Sequence, residues 1–339
     1  MIDTIGLRAS ITPALLAAIR VDIKGTDAEK FKAFWKRVNT PFGSFRIKIN
    51  VNAATIEFEI SPMKFLKGHN FVGTNYLEPL IVGIMKIVYD RFKVRFKEKD
   101  EAFYTDNNSQ MLRGDFNGNF YVGSQAKVVN TMALIREHLV AHGHDIVVHE
   151  GPDGIETIYE GKESSHSTIK FYNKYLEMLA NSSKSTKAFP YYADLLKYAR
   201  QVVRFEVTLR SRALKDENMR DSTSWNPGKQ REILNKKLID LELSKQLIAE
   251  LSPETIAGLT PDKRRKYDMW LDGVSSKYYT PVTVERDRKF FLELGLDIAR
   301  THSQTLNAVL LSNRISPTKL KMTYPARLVE MGAILQKSK

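Results

Sequence analysis

At 339 residues and 38.8 kDa the chain has room for about two domains and a sizeable buried core. A hydrophobic content of 42% with 27% charged residues excludes long disorder, and the absence of cysteine excludes disulfides, zinc–thiolate or iron–sulfur centres and a thiol nucleophile. Lys plus Arg outnumber Asp plus Glu by 52 to 39, a net charge of +13 spread over both halves, so a polyanion, nucleic acid first, is the expected partner.

Without thiols, any metal must be held by carboxylate, imidazole or carbonyl, which favours a hard ion such as Mg2+ or Mn2+. The longest apolar stretch, Leu80 to Tyr89, contains Lys86 and is too short to span a bilayer. Asp3 stands where a secretory signal carries positive charge. A cytoplasmic protein without a membrane partner is expected.

Thr12-Pro13 opens a short helix, with Pro at the first helical position. Residues 46–51 and 55–60 alternate polar and apolar as half-buried strands do, with a turn at 52–54 between them. A helix is predicted over 77–92, and a basic run from Lys86 to Lys99 could follow a phosphate backbone. A strand over 112–122 places Arg113, Asp115, Asn117 and Asn119 on one face. Ser124 caps a helix that runs to His142 and stops at Gly143. His142-Gly143-His144 is then a solvated turn.

Two more charged strands follow. Residues 167–174 put Thr168, Lys170, Tyr172 and Lys174 opposite Ile169 and Phe171, and residues 202–210 put Arg204, Glu206, Thr208 and Arg210 opposite Val203, Phe205, Val207 and Leu209. Three such faces in one domain suggest a sheet whose open side binds phosphate and metal. Residues 181–187 form a loop and 216–229 a polar, turn-rich linker. Helical patterns then cover 230–251, 261–271, 284–294 and 325–335, with a basic cluster at Lys263 to Lys266 and another at Arg286 to Lys289 as further DNA contacts. The expected fold is α+β: a largely antiparallel sheet domain at 1–215, the linker at 216–229, and a helical, DNA-holding domain at 230–339.

No phosphate-binding loop, nucleophile elbow or HExxH helix is present, which excludes a nucleotide-driven motor and those hydrolase classes. The strongest constellation is Ser164 to Lys174, in which Tyr172 and Lys174 share a strand face, although a Y-x-K pair alone is common on strands. A free phenol has a pKa near 10 and attacks poorly at neutral pH, and an ammonium two residues away on the same strand face favours the phenolate.

These residues belong to a wider resemblance. Met1-Ile2-Asp3-Thr4 with Leu7-Arg8, the segment S-P-x-K-x-L-x-G-H-N-x-x-G-T from Ser61 to Thr74, Arg113-x-Asp115, His166 to Lys174 as H-x(5)-Y-x-K, Val203-Arg204-Phe205-Glu206, and Arg288 to Asp297 occur in this order. Together they resemble the replication initiators of filamentous phages, the gene II protein family. The resemblance implies a degenerate relaxase-like fold without the histidine–hydrophobic–histidine metal motif. It implies a tyrosine that nicks the plus-strand origin, stays on the 5′ phosphate, and frees a 3′ hydroxyl for rolling-circle synthesis. A second transesterification then closes the circle.

Carried over by position, Tyr172 is the nucleophile and Lys174 its neighbouring cation. Asp115 and Glu206 are the expected carboxylate ligands of Mg2+ or Mn2+. Lys64, His69, Asn70, Arg113, His166, Arg204 and Arg210 are the expected DNA contacts. Implied partners are origin DNA and the host replicative helicase and polymerase, with oligomerisation on the origin. A plasmid mobilisation relaxase and a non-catalytic phage DNA-binding protein are the rival readings.

Overall fold

The computed structural model describes residues 1–71, 73–106, 108–181, 191–243, 249–273 and 281–322. Its frame is one sheet of ten strands: β1 Ile2–Ser10, β2 Ala33–Thr40, β3 Gly43–Asn50, β4 Thr55–Ile60, β5 Ser109–Tyr121, β6 Ile146–Gly151, β7 Gly154–Glu160, β8 Ser167–Asn173, β9 Val202–Arg210 and β10 Leu320–Lys321. They lie in the order β2-β3-β4-β1-β5-β9-β8-β7-β6, with β10 beside the far end of β5, and every pairing is antiparallel. The expected α+β class with a largely antiparallel sheet is what the molecule has.

Alternation sets the two faces of this sheet. Phe45, Ile47 and Ile49 on β3, Ile56, Phe58 and Ile60 on β4, and Val203, Phe205, Val207 and Leu209 on β9 are all buried in one core. The helices Pro13–Ile23, Glu78–Arg91 and Gln125–Ala141 contribute Leu15, Ile19, Leu80, Ile84, Val88, Val128, Met132 and Ile135 to the same core. Each such aliphatic or aromatic side chain contributes roughly 1.5–3 kcal/mol by leaving water. The caps are as expected: Thr12 Oγ1 accepts from Leu15 N at 3.4 Å, and Ser124 Oγ from Lys127 N at 3.3 Å.

Several boundaries differ from expectation. β8 ends at Asn173, and Lys174 is the first residue of a helix to Asn181. The helix expected over 230–251 runs from Pro227 to Asp240. The helix expected over 325–335 and most of the loop at 181–187 lie outside the described residues. Within 216–229, Met219 and Trp225 are buried, and Trp225 packs on the core side of β5, where a Cβ on Gly114 would stand 2.4 Å from its ring. Leu234 and Leu238 join the main core, while Leu251, Tyr267, Trp270, Phe291 and Leu296 form a separate small one.

His142 is not in a solvated turn. Its Nδ1–H donates to the His138 carbonyl at 2.7 Å, and its Nε2 accepts from Arg300 at 2.9 Å. The Arg300 guanidinium that folds over it comes from far along the chain, beyond the reach of local pattern.

Candidate active site

The opposite face of the sheet carries the chemistry. The register sets Asp115 opposite Thr208, Asn117 opposite Glu206, Glu206 opposite Lys170, and Arg204 opposite Tyr172. Directly paired residues project to the same side, so all of these share one face. Tyr172 Oη donates to Glu206 Oε2 across the diagonal at 3.1 Å. Lys170 Nζ lies 3.5 Å from Glu206 Oε1 and 4.0 Å from the centre of the Tyr172 ring. Tyr172 is 2% exposed.

Lys174 reaches the same place from its helix. Its wholly buried ammonium donates to Glu177 Oε2 at 2.7 Å and to Asn70 Oδ1 at 3.4 Å, and lies 5.7 Å from the Tyr172 ring centre. The nearer cation to the phenol is therefore Lys170, which the sequence placed on the face without a role.

The Gly68-His69-Asn70 segment closes one end of the site. Gly68, in the left-handed region at φ 78°, ends the helix Pro62–Lys67 and turns the chain back over the sheet. His69 is buried with its ring edge-on to Tyr191 at 5.6 Å. Arg204 Nη1 donates to the Asn70 carbonyl at 3.2 Å, its Nη2 to the Phe71 carbonyl, and its Nε to Asn119 Oδ1 at 3.0 Å. Arg204 is fully buried, so its guanidinium brackets this segment to the sheet and presents no surface to a phosphate.

The electrostatics revise the expected activation of the tyrosine. Burial, then the Glu206 carboxylate, push the Tyr172 phenol well above its ordinary pKa. The resting group is a neutral phenol with an acceptor in place, where a phenolate favoured by Lys174 was expected. Burial opposes ionisation of Glu206 as well, but Lys170 and Arg204 outweigh it and hold its carboxyl below the usual range. Burial, then Arg204, bring Lys174 down to about 8.

A third acid completes the set. Asp3, on β1, is buried, accepts from Ser61 Oγ at 2.9 Å, and has its pKa raised by burial and then by Glu206. Asp115 is likewise pushed up to about 6, first by burial and further by Glu206 and Asp3, although Arg113 opposes this. The sequence offered one signal for Asp3, its place in the N-terminal segment of the resemblance. β1 itself was not anticipated as a strand, so no face was assigned to it.

The remaining expected contacts are dispersed. Arg113 grips Asp115 with Nε and Nη2 at 2.8 Å each and Glu59 with Nη1 at 2.5 Å. Arg210 Nη1 donates to Thr168 Oγ1 at 3.0 Å. His166 pairs with Asp216 at 3.0 Å just before β8, six residues and about 20 Å of extended strand from Tyr172. Lys64 is exposed on the helix Pro62–Lys67. Of the seven, Asn70 and Arg204 touch the Lys174 and Asn119 surroundings of the site, His69 flanks them, and Arg113 engages Asp115.

For a divalent ion, the donor chemistry fits: Asp3, Asp115 and Glu206 are buried oxygen donors on neighbouring strands whose negative charges oppose one another's ionisation. Among the described residues, no group of three or more such side chains is gathered into a preformed cluster. Arg113 on Asp115 and Lys170 on Glu206 occupy the positions of the counter-charge. No described helix is long and apolar enough to cross a membrane.

Comparison with known proteins gives the family. The replication-associated gene II protein of Enterobacteria phage I2-2 is 24% identical over 281 residues, 78% of each chain. A solved rolling circle replication initiator protein from Geobacillus stearothermophilus aligns with 12% identity and a TM-score of 0.34 over 70% of this chain and 83% of that one. A family model described as the N-terminal part of the phage replication-associated gene II protein matches residues 1–228, which contain Asp3, Asp115, Tyr172, Lys174 and Glu206, and the chain belongs to that family.

Proposed function

We infer that the protein is a site-specific, single-strand DNA nicking and joining enzyme that starts and ends rolling-circle replication of a phage or related replicon. The observation that carries this is the hydrogen bond from Tyr172 to Glu206, flanked by Lys170 and Lys174 on the polar face of the sheet.

In the nicking step, the Tyr172 oxygen attacks phosphorus and its proton passes to the Glu206 carboxylate. The new phosphorus–oxygen bond replaces the bond to the 3′ oxygen, which takes a proton from water and leaves as a hydroxyl. Lys170 is placed to balance charge on the phosphate while Glu206 holds the proton. In the joining step a 3′ hydroxyl attacks the phosphotyrosine and gives its proton to water, while the departing Tyr172 oxygen takes back the proton held by Glu206 and the phenol is regenerated. A bound Mg2+ or Mn2+ would supply further charge stabilisation on the phosphate, with Asp3, Asp115 and Glu206 as the carboxylates to hold it. Tyr172 is buried, so entry of the strand requires the groups that cover it to move.

Residues 1–215 carry this chemistry and residues 230–339 hold origin DNA, with host helicase and polymerase as partners in the bacterial cytoplasm. The test is incubation with supercoiled DNA bearing the replicon's origin and with Mg2+. A nick whose 5′ end is linked to protein through tyrosine is expected. Release of a free 5′ phosphate would overturn the reading.

A further inference from the structure

The polar face of the sheet continues well past Tyr172. Pairing places Arg113 opposite Arg210, Gly6 opposite Arg113, Arg8 opposite Glu57, Glu57 opposite Lys48, Lys48 opposite Trp35, and Arg46 opposite Arg37. All of these share the face that holds Glu206. Five strand spacings separate β9 from β2, about 24 Å.

The outer end has a composition that fits nucleic acid. Trp35 is 56% exposed on the edge strand β2, and the Arg46 guanidinium lies 4.9 Å from its ring centre. Arg37, Arg46 and Lys48 surround it. The two acids between this end and the site are already engaged: Glu57 accepts from Arg8 at 2.6 Å, and Glu59 from Arg113 at 2.5 Å. The exposed end therefore keeps a positive excess beside a flat, accessible indole. An indole costs free energy when left in water, and an aromatic face among cations is the arrangement on which unpaired bases stack.

We propose that the β2–β3 end of the sheet is a single-stranded DNA platform, on which a base flanking the nick stacks on Trp35 while Arg37, Arg46 and Lys48 hold its phosphates. This rests on the nicking function only in taking DNA as the polymer, and its test involves no cleavage.

The full chain is titrated with a short oligothymidylate in EDTA while tryptophan emission is followed. Trp225 and Trp270 are buried, so quenching reports on Trp35. Stacking predicts strong quenching, lost in Trp35→Leu with about a five- to hundredfold weaker binding, while Trp35→Phe retains most of the affinity. The double substitution Arg37→Gln, Arg46→Gln should lower the salt dependence of binding by about two units. Affinity for the oligonucleotide unchanged within twofold in Trp35→Leu would overturn the proposal. So would a Trp35→Leu protein that changes its oligomeric state and not its DNA affinity, since β2 would then be an edge for self-pairing. Trp35-dependent binding in a protein that forms no covalent product would leave this platform standing and remove the nicking function.

Discussion

Tyr172 on β8 and Glu206 on β9 meet across the diagonal of an antiparallel pair, with the phenol donating at 3.1 Å to a carboxylate that Lys170 and Arg204 keep ionised. A proton acceptor is thus in place before any substrate arrives. Tyr172→Phe removes only the oxygen, so covalent linkage should vanish and nicking fall by on the order of a thousandfold or more. The fold should lose about 1 kcal/mol for the missing hydrogen bond. Gel-shift of labelled oligonucleotide under denaturing conditions checks the first, and thermal unfolding the second. Near wild-type nicking in Tyr172→Phe would exclude this tyrosine, and Tyr175, whose hydroxyl accepts from Arg200 at 2.9 Å, would be the next to test.

Asp115 and Glu206 are expected to supply carboxylates to one divalent ion. Chelation should stop cleavage and leave oligonucleotide binding in place. In the double variant Asp115→Asn, Glu206→Gln, calorimetric affinity for Mn2+ should drop at least about tenfold. Equal affinity in the variant would remove Asp115 and Glu206 from the ligand set.

How much of this was legible in the residues depends on each strand's position in the sheet. β3, β4, β5, β8 and β9 keep a regular alternation, and their faces follow from period two. β1 lies in the middle, is buried on both sides along most of its length, and changes register between Ile2 and Ile5 and again after Gly6. Ile5, Leu7 and Ala9 alternate with Gly6, Arg8 and Ser10, but the shift before Ile5 takes Asp3 out of that phase, which hid it from the pattern. Lys170 had the right parity but no motif to single it out. The raised pKa of Tyr172 was not legible at all, since it follows from burial in the folded sheet and from Glu206 on the neighbouring strand. Counting charges also misjudged Arg204, because it is buried and donates to two backbone carbonyls and to Asn119 Oδ1.

His138 should make the protein acid-sensitive. Its Nε2–H donates to the Leu241 carbonyl at 2.9 Å, and burial, with His142 and Arg300 nearby, lowers its pKa to about 3. The unfolded chain takes up a proton at the ordinary histidine pKa of about 6.5 that the folded chain refuses. This term is therefore negligible above that pH and grows as pH falls below it. It costs about 2 kcal/mol by pH 5. Unfolding free energies measured between pH 5 and 8 should show a smaller pH dependence in His138→Gln than in the wild type. An identical slope in the two proteins would mean that His138 is protonated in the fold.

The basic cluster from Lys263 to Lys266 was expected to grip DNA, but its charges face acids of its own domain. Lys263 and Lys266 reach Asp287 at 2.5 and 2.7 Å, Lys266 also reaches Asp262 at 2.7 Å, and Arg264 pairs with Asp268 at 3.3 Å. Asp287 and Lys266 are 3% and 7% exposed, so these are interior bonds between the helices Pro261–Leu271 and Pro281–Glu293. Removing both lysines leaves a buried carboxylate with only the exposed Arg286, 3.8 Å away, as counter-charge, which costs about 3 kcal/mol. Lys263→Met, Lys266→Met should therefore unfold more easily, and adding Asp287→Leu should restore much of the loss by removing the stranded charge. The salt dependence of origin binding, measured where the variants are folded, should stay within one unit of the wild type, because few phosphate contacts disappear. A fall of two units or more in that slope, with stability unchanged, would return the cluster to the DNA interface and make the ion pairs incidental.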